Sequence, residues 1–136
     1  MTFQKHPIVL AAALLALSFA CGTKRDLDEA RAAVRSAEAE LRRLQPRLAA
    51  ALEARGKAEA ALEYALAQNG GDAAGAAWWA AQKNEKRAAF EAADRSHKQL
   101  LFDTMQAGRV YVQAEEAYRP VAGAYSSPEK FRAWES

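Results

Sequence analysis

Between Leu27 and Ala65, apolar residues fall alternately three and four positions apart: Leu27, Ala30, Val34, Ala37, Leu41, Leu44, Leu48, Ala51, Ala58, Leu62 and Ala65, with Arg55 alone interrupting the series. A strand alternates its faces every second residue, so this spacing fits only a helix, and one whose seam packs lengthwise against another helix. The pattern persists for nearly six heptads. Many of the seam residues are small, because alanine supplies 35 of the 136 residues while Trp, Tyr, Phe and Met together supply 14. At roughly 25 cal/mol per Å² of buried apolar surface, an alanine-rich chain cannot build a deep multilayer core. Four Pro and seven Gly also argue against a β-sandwich or a low-complexity chain.

Turn chemistry sets the expected boundaries. Asp26 followed by Glu29 resembles a capping box at the start of a first arm, and Asn69-Gly70-Gly71 supplies its stop. Asp72 is the expected N-cap of a second arm that runs to Arg119, where Pro120 should end it. Pro46 should kink or split the first arm, since its ring clashes with the carbonyl of Arg42. Arms over 26–69 and 72–119 are nearly equal, about 66 Å long at 1.5 Å per residue. The expected fold is all-α: a long antiparallel two-helix coiled-coil hairpin with a short C-terminal helical tail.

Folding the arms back about Asp72 pairs residues whose numbers sum to roughly 145. Leu66 should then face Trp79, Leu48 His97, Leu44 Leu101, Ala37 Gly108, Val34 Tyr111 and Leu27 Tyr118. The second seam reads through Trp79, Phe90, His97, Leu101, Met105 and Val112. Arg55 falls opposite Phe90, with Asp94 near enough to take its charge while its stem lies on the ring. On the outer faces, Glu38–Arg42, Glu53–Lys57, Glu91–Arg95 and Asp94–Lys98 are acid–base pairs four residues apart, a solvated arrangement.

Residues 120–136 read as a linker followed by a short helix, with Ser127 and Pro128 at its N-cap and N1 positions and Phe131 and Trp134 on one face. The aromatic tail is expected to close the open end of the hairpin; contact with a membrane interface is the alternative.

Ahead of the arms, Lys5 and the N-terminal amine precede an apolar run from Ile8 to Ala20 broken only by Ser18. Thirteen residues suit the hydrophobic core of a secretory signal, whereas a spanning helix needs about 20. Residues 1–20 are therefore expected to be a signal peptide. Leu17-Ser18-Phe19-Ala20-Cys21-Gly22 resembles the lipobox of bacterial lipoproteins: Ala20, Cys21 and Gly22 fit, while Leu17 sits one place early and Ser18 and Phe19 depart from the stricter pattern. That resemblance implies cleavage before Cys21, lipid on its sulfur and new amine, and residues 21–25 as a tether. It also implies the outer membrane facing the periplasm, because Gly rather than Asp follows the Cys. Ordinary signal peptidase could cut the same bond after Ser18-Phe19-Ala20 and leave Cys21 bare. Cys21 is the only cysteine, so an unlipidated exported form would carry a free, oxidisable thiol.

Removing Lys5 with the leader leaves 18 Lys and Arg against 17 Asp and Glu, interspersed in sign. Such a balance gives little electrostatic motive for binding nucleic acid. His97 is the only histidine after the leader and has no cysteine partner on the arms, so a His-based metal cluster is not expected and it reads as a seam residue. No phosphate loop, dinucleotide motif or nucleophile triad appears, and no cofactor or small-molecule substrate is expected. Trp78 and Trp79, adjacent and so about 100° apart on a helix, are the candidate partner-binding residues: one can enter the seam while the other faces out. Because an alanine seam buries little, a second copy or a partner's helices would complete the burial. The expected function is a non-enzymatic, membrane-tethered envelope lipoprotein acting as a spacer, adaptor or structural protein, resembling the major murein lipoprotein but lacking its C-terminal Lys. An accessory or ligand-binding subunit of an envelope transport or secretion complex is the alternative.

Overall fold

A computed structural model describes residues 24–126, and these form an all-α helical hairpin: α1 spans Lys24–Leu66 and α2 spans Ala73–Ser126. Contacts divide it into two units, one built from the chain up to Arg42 and from Met105 onward, the other from Arg43–Thr104. Cys21 and the tail helix through Trp134 lie outside the described residues.

Every seam position of α1 is buried or half-buried, Arg55 included. In the first unit Leu27 and Ala30 form a cluster with Val121, joined by Ala117, Tyr118 and Ala122, while Ala37 clusters with Val110 and Ala114, joined by Ala33, Val34 and Tyr111. The expected neighbours Leu27 with Tyr118 and Val34 with Tyr111 thus share clusters. Gly108 does not meet Ala37, since a Cβ built on Gly108 would point into open space.

The register of the second seam differs from the expected one. The half-buried and buried residues of α2 recur as Trp79, Lys83, Lys86, Phe90, Ala93, His97, Leu100, Thr104, Ala107, Tyr111, Ala114, Tyr118 and Val121, an unbroken alternation of four and three. Leu101, Met105 and Val112 are exposed, each one residue past a seam position. Two lysines, a histidine and a threonine occupy the seam itself. Their long or amphipathic side chains can bury a stem while the polar end reaches water, so the backbone period, not the size of the side chains, determines the contact face.

Both ends of α1 and the far end of α2 also depart from expectation. α1 begins at Lys24, which puts Asp26 inside its first turn, favourable for an acid beside the helix N-terminus, and Glu29 pairs with Arg25 at 2.9 Å instead of closing a capping box. α1 ends at Leu66, with Gln68 Nε2 donating to the Tyr64 carbonyl at 3.3 Å. α2 passes through Pro120 to Ser126, so the expected linker is helical over 120–126. Pro120 is exposed, leaving the unpaired Glu116 carbonyl accessible to water, and the next residue, Val121, is 3% exposed against Leu27. Burial of Val121 offsets the lost backbone bond. Pro46 is likewise exposed and lies within α1.

Candidate functional site

The turn joining the helices is built from the residues expected to build it. Gly70 and Gly71 have φ of +80° and +70°, the left-handed region that glycine tolerates without strain. Asp72 caps α2, its Oδ1 accepting from the Gly75 amide at 2.7 Å, while Ala76 N–H donates to the Asp72 carbonyl at 2.8 Å. Gly75 is required for a separate reason. A Cβ there would stand 2.0 Å from the Gly70 carbonyl oxygen, so the turn closes only because position 75 has no side chain.

This cap aims the start of α2 and with it the two tryptophans. Trp79 lies half-buried on the seam, its ring edge-on to Tyr64 of α1 at 6.1 Å and 66°. Trp78 packs edge-on against Trp79 at 4.6 Å and 82° and remains 55% exposed. The separation of roles expected for adjacent helical positions is what the geometry gives. Tyr64, 64% exposed, completes the aromatic group and was not singled out from the sequence. Its signal was the antiparallel register, because 64 and 79 sum to 143, close to the pairing constant used for the seam. Leu66, expected opposite Trp79, is instead 48% exposed beside it. From Tyr64 to Gln82 the only charge is Asp72, whose carboxylate already bonds the Gly75 amide.

Farther along the same unit, Arg55 is held from two sides. Its guanidinium carbon lies 5.5 Å from the centre of the Phe90 ring, and its Nε donates to Asp94 Oδ1 at 2.7 Å. Lys98 Nζ takes the other carboxylate oxygen at 2.6 Å. Hydrogen bonds from Lys98 and then Arg55 hold the Asp94 carboxyl below the usual carboxylate range, and the bond to Asp94 raises Arg55. Acid–base pairs also form on the outer faces at Glu38–Arg42 and Glu53–Lys57, both 2.6 Å; Glu91 and Arg95, expected as another, make no ion pair among the described residues.

In the other unit, Tyr111 donates to Glu115 Oε1 at 2.7 Å, and this bond to a carboxylate raises the tyrosine's pKa. The bond with Tyr118 raises Arg31 in the same way. These are ordinary polar contacts at the flanks of a seam. His97 sits half-buried on its seam. Among the described residues no group of three or more His, Cys, Asp or Glu is arranged to hold a metal ion, and no helix is long and apolar enough to cross a membrane. The candidate site is therefore a surface for contact, the exposed edge made by Trp78 and Tyr64. No known protein family, curated protein or solved structure matches the chain.

Proposed function

We propose that the protein is a lipid-anchored envelope lipoprotein, exported by residues 1–20, acylated at Cys21 and working as a non-enzymatic helical spacer or adaptor. The observation that carries the reading is the sole cysteine of the chain standing directly after Ala20 at the end of a thirteen-residue apolar run. Acylation of both the sulfur and the new amine would give stable membrane attachment, since two lipid signals suffice. Gly22 favours the outer membrane, with the helices facing the periplasm. The tether thus supplies the membrane contact, and the helices supply a surface for protein contact.

A second reading, an accessory subunit of an envelope transport or secretion complex, is favoured by the exposed edge of Trp78 and Tyr64. Exposed Trp and Tyr are frequent anchors of protein interfaces. Fatty-acid labelling in cells tests the main reading: label should appear on the parent chain and be absent from Cys21→Ser. Equal label on both forms, or none on either, overturns it. Cross-linking from Trp78 to a defined envelope complex would favour the second reading over the first.

A further inference from the structure

The residues that lie one place beyond the α2 seam form a stripe of their own. Leu101, Met105, Gly108 and Val112 repeat at intervals of four, three and four, so they share one flank of α2 about 100° around from the face toward α1. Leu101, Met105 and Val112 are 42%, 54% and 51% exposed, and Phe102 beside them is 56% exposed. A Cβ on Gly108 would meet nothing within 4 Å, which leaves a notch between Met105 and Val112. Large apolar side chains at heptad spacing on an open helix flank are the pattern of a coiled-coil face.

Charge and shape select its occupant. We propose that this flank pairs antiparallel with the same flank of a second copy of the chain, Leu101 opposite Val112 of the second copy and Met105 entering the notch at its Gly108. Both layers satisfy one register, because 101 with 112 and 105 with 108 give the same sum, and a two-fold axis repeats each contact. That register fixes the flanking residues without further choice. Arg109 comes beside Phe102 of the second copy, and Arg95 beside Glu116 of the second copy, each twice. An arginine over an aromatic ring and an arginine beside a carboxylate are favourable pairs. Arg95, Arg109 and Glu116 are exposed and make no ion pair or hydrogen bond among the described residues, so each is available for these contacts. A parallel arrangement would set Arg109 and Glu116 level with their own copies and lose the complementarity. The pairing holds whether or not Cys21 carries lipid.

Disulfide trapping in the full chain carrying Cys21→Ser tests the register. Leu101→Cys together with Val112→Cys should be linked by mild oxidation into a covalent dimer. Leu101→Cys alone should not, because its two copies would stand about eleven residues apart, roughly 16 Å, beyond the reach of a disulfide. Adding Met105→Glu to the double-cysteine chain should lower the yield at least tenfold with unchanged helical circular dichroism. Arg95→Glu and Glu116→Arg should each reduce the yield severalfold, and the two together should restore it. Linking of Leu101→Cys alone as efficiently as the pair, a ladder of higher species in place of a dimer, or a yield indifferent to Met105→Glu would each overturn the antiparallel pairing.

Discussion

Arg55 of α1 and Asp94 of α2 are joined by a 2.7 Å hydrogen bond at the one position where the α1 seam lacks an apolar residue. The pair turns an interruption into a register mark. An arginine on a seam is tolerated where its stem packs on a ring, here Phe90, and its head finds a carboxylate. Sliding α2 by one turn would leave the guanidinium half-buried without that partner.

The same pair gives the fold an acid dependence of known sign. Asp94 titrates lower in the folded chain than its ordinary value of 3.8, because Lys98 and Arg55 both favour its charged form. Its contribution to stability is therefore full above that ordinary value and is lost as pH falls through the depressed one. Thermal melts from pH 7 to pH 2 should show the parent losing stability below about pH 4, with Asp94→Asn less stable at neutral pH and less sensitive to acid. A slope identical in both proteins would remove Asp94 from the account.

Leucines at two degrees of burial should respond differently to truncation. Leu44 is 3% exposed and Leu52 is 53% exposed on the same helix. Leu44→Ala should cost about 2–4 kcal/mol in chemical unfolding, and Leu52→Ala about 0.5 kcal/mol or less. Equal effects would mean that the α1 face is assigned wrongly.

Glycines at two positions should respond with opposite signs. Gly75→Ala sets a methyl against the Gly70 carbonyl and should destabilise by about 1–3 kcal/mol. Gly56→Ala, in mid-helix with nothing within 4 Å, should stabilise by about 0.5–1 kcal/mol. Guanidinium melts of the two variants measure both shifts at once.

Aromatic neighbours at the turn offer a fourth contrast. Trp79→Ala removes a half-buried ring that touches Tyr64 and Trp78, and should cost about 2–3 kcal/mol. Trp78→Ala should cost about 1 kcal/mol or less, since more than half of that ring already meets water. The melting midpoints of the two proteins order them directly.

Much of this was legible because heptad spacing is a strong signal when large and small apolar residues keep it without exception, as they do along α1. Arg55 with Phe90 and Asp94 followed from the same arithmetic, and Asp72 with Gly70 and Gly71 from turn chemistry. α2 was harder for a definable reason. Its seam holds Lys83, Lys86, His97 and Thr104, while Leu101, Met105 and Val112 lie one residue along, so a reading that follows the largest apolar residues moves onto the wrong face. Pro120 misled for another reason: a missing N–H is felt locally, but whether the helix continues depends on what Val121 can bury against on α1. That partner is distant in sequence.

Five of the nine buried residues are alanines, at positions 30, 37, 65, 107 and 114, and no large side chain is fully enclosed. In most cores the damaging changes are truncations, because they leave holes. Here there is little left to truncate, and the sensitive direction is reversed. A leucine at Ala37 or Ala114 would act as a wedge, forcing the helices of that unit apart and withdrawing its neighbours from contact. The chain should therefore drift readily in its surface charges while resisting growth at these five methyl groups.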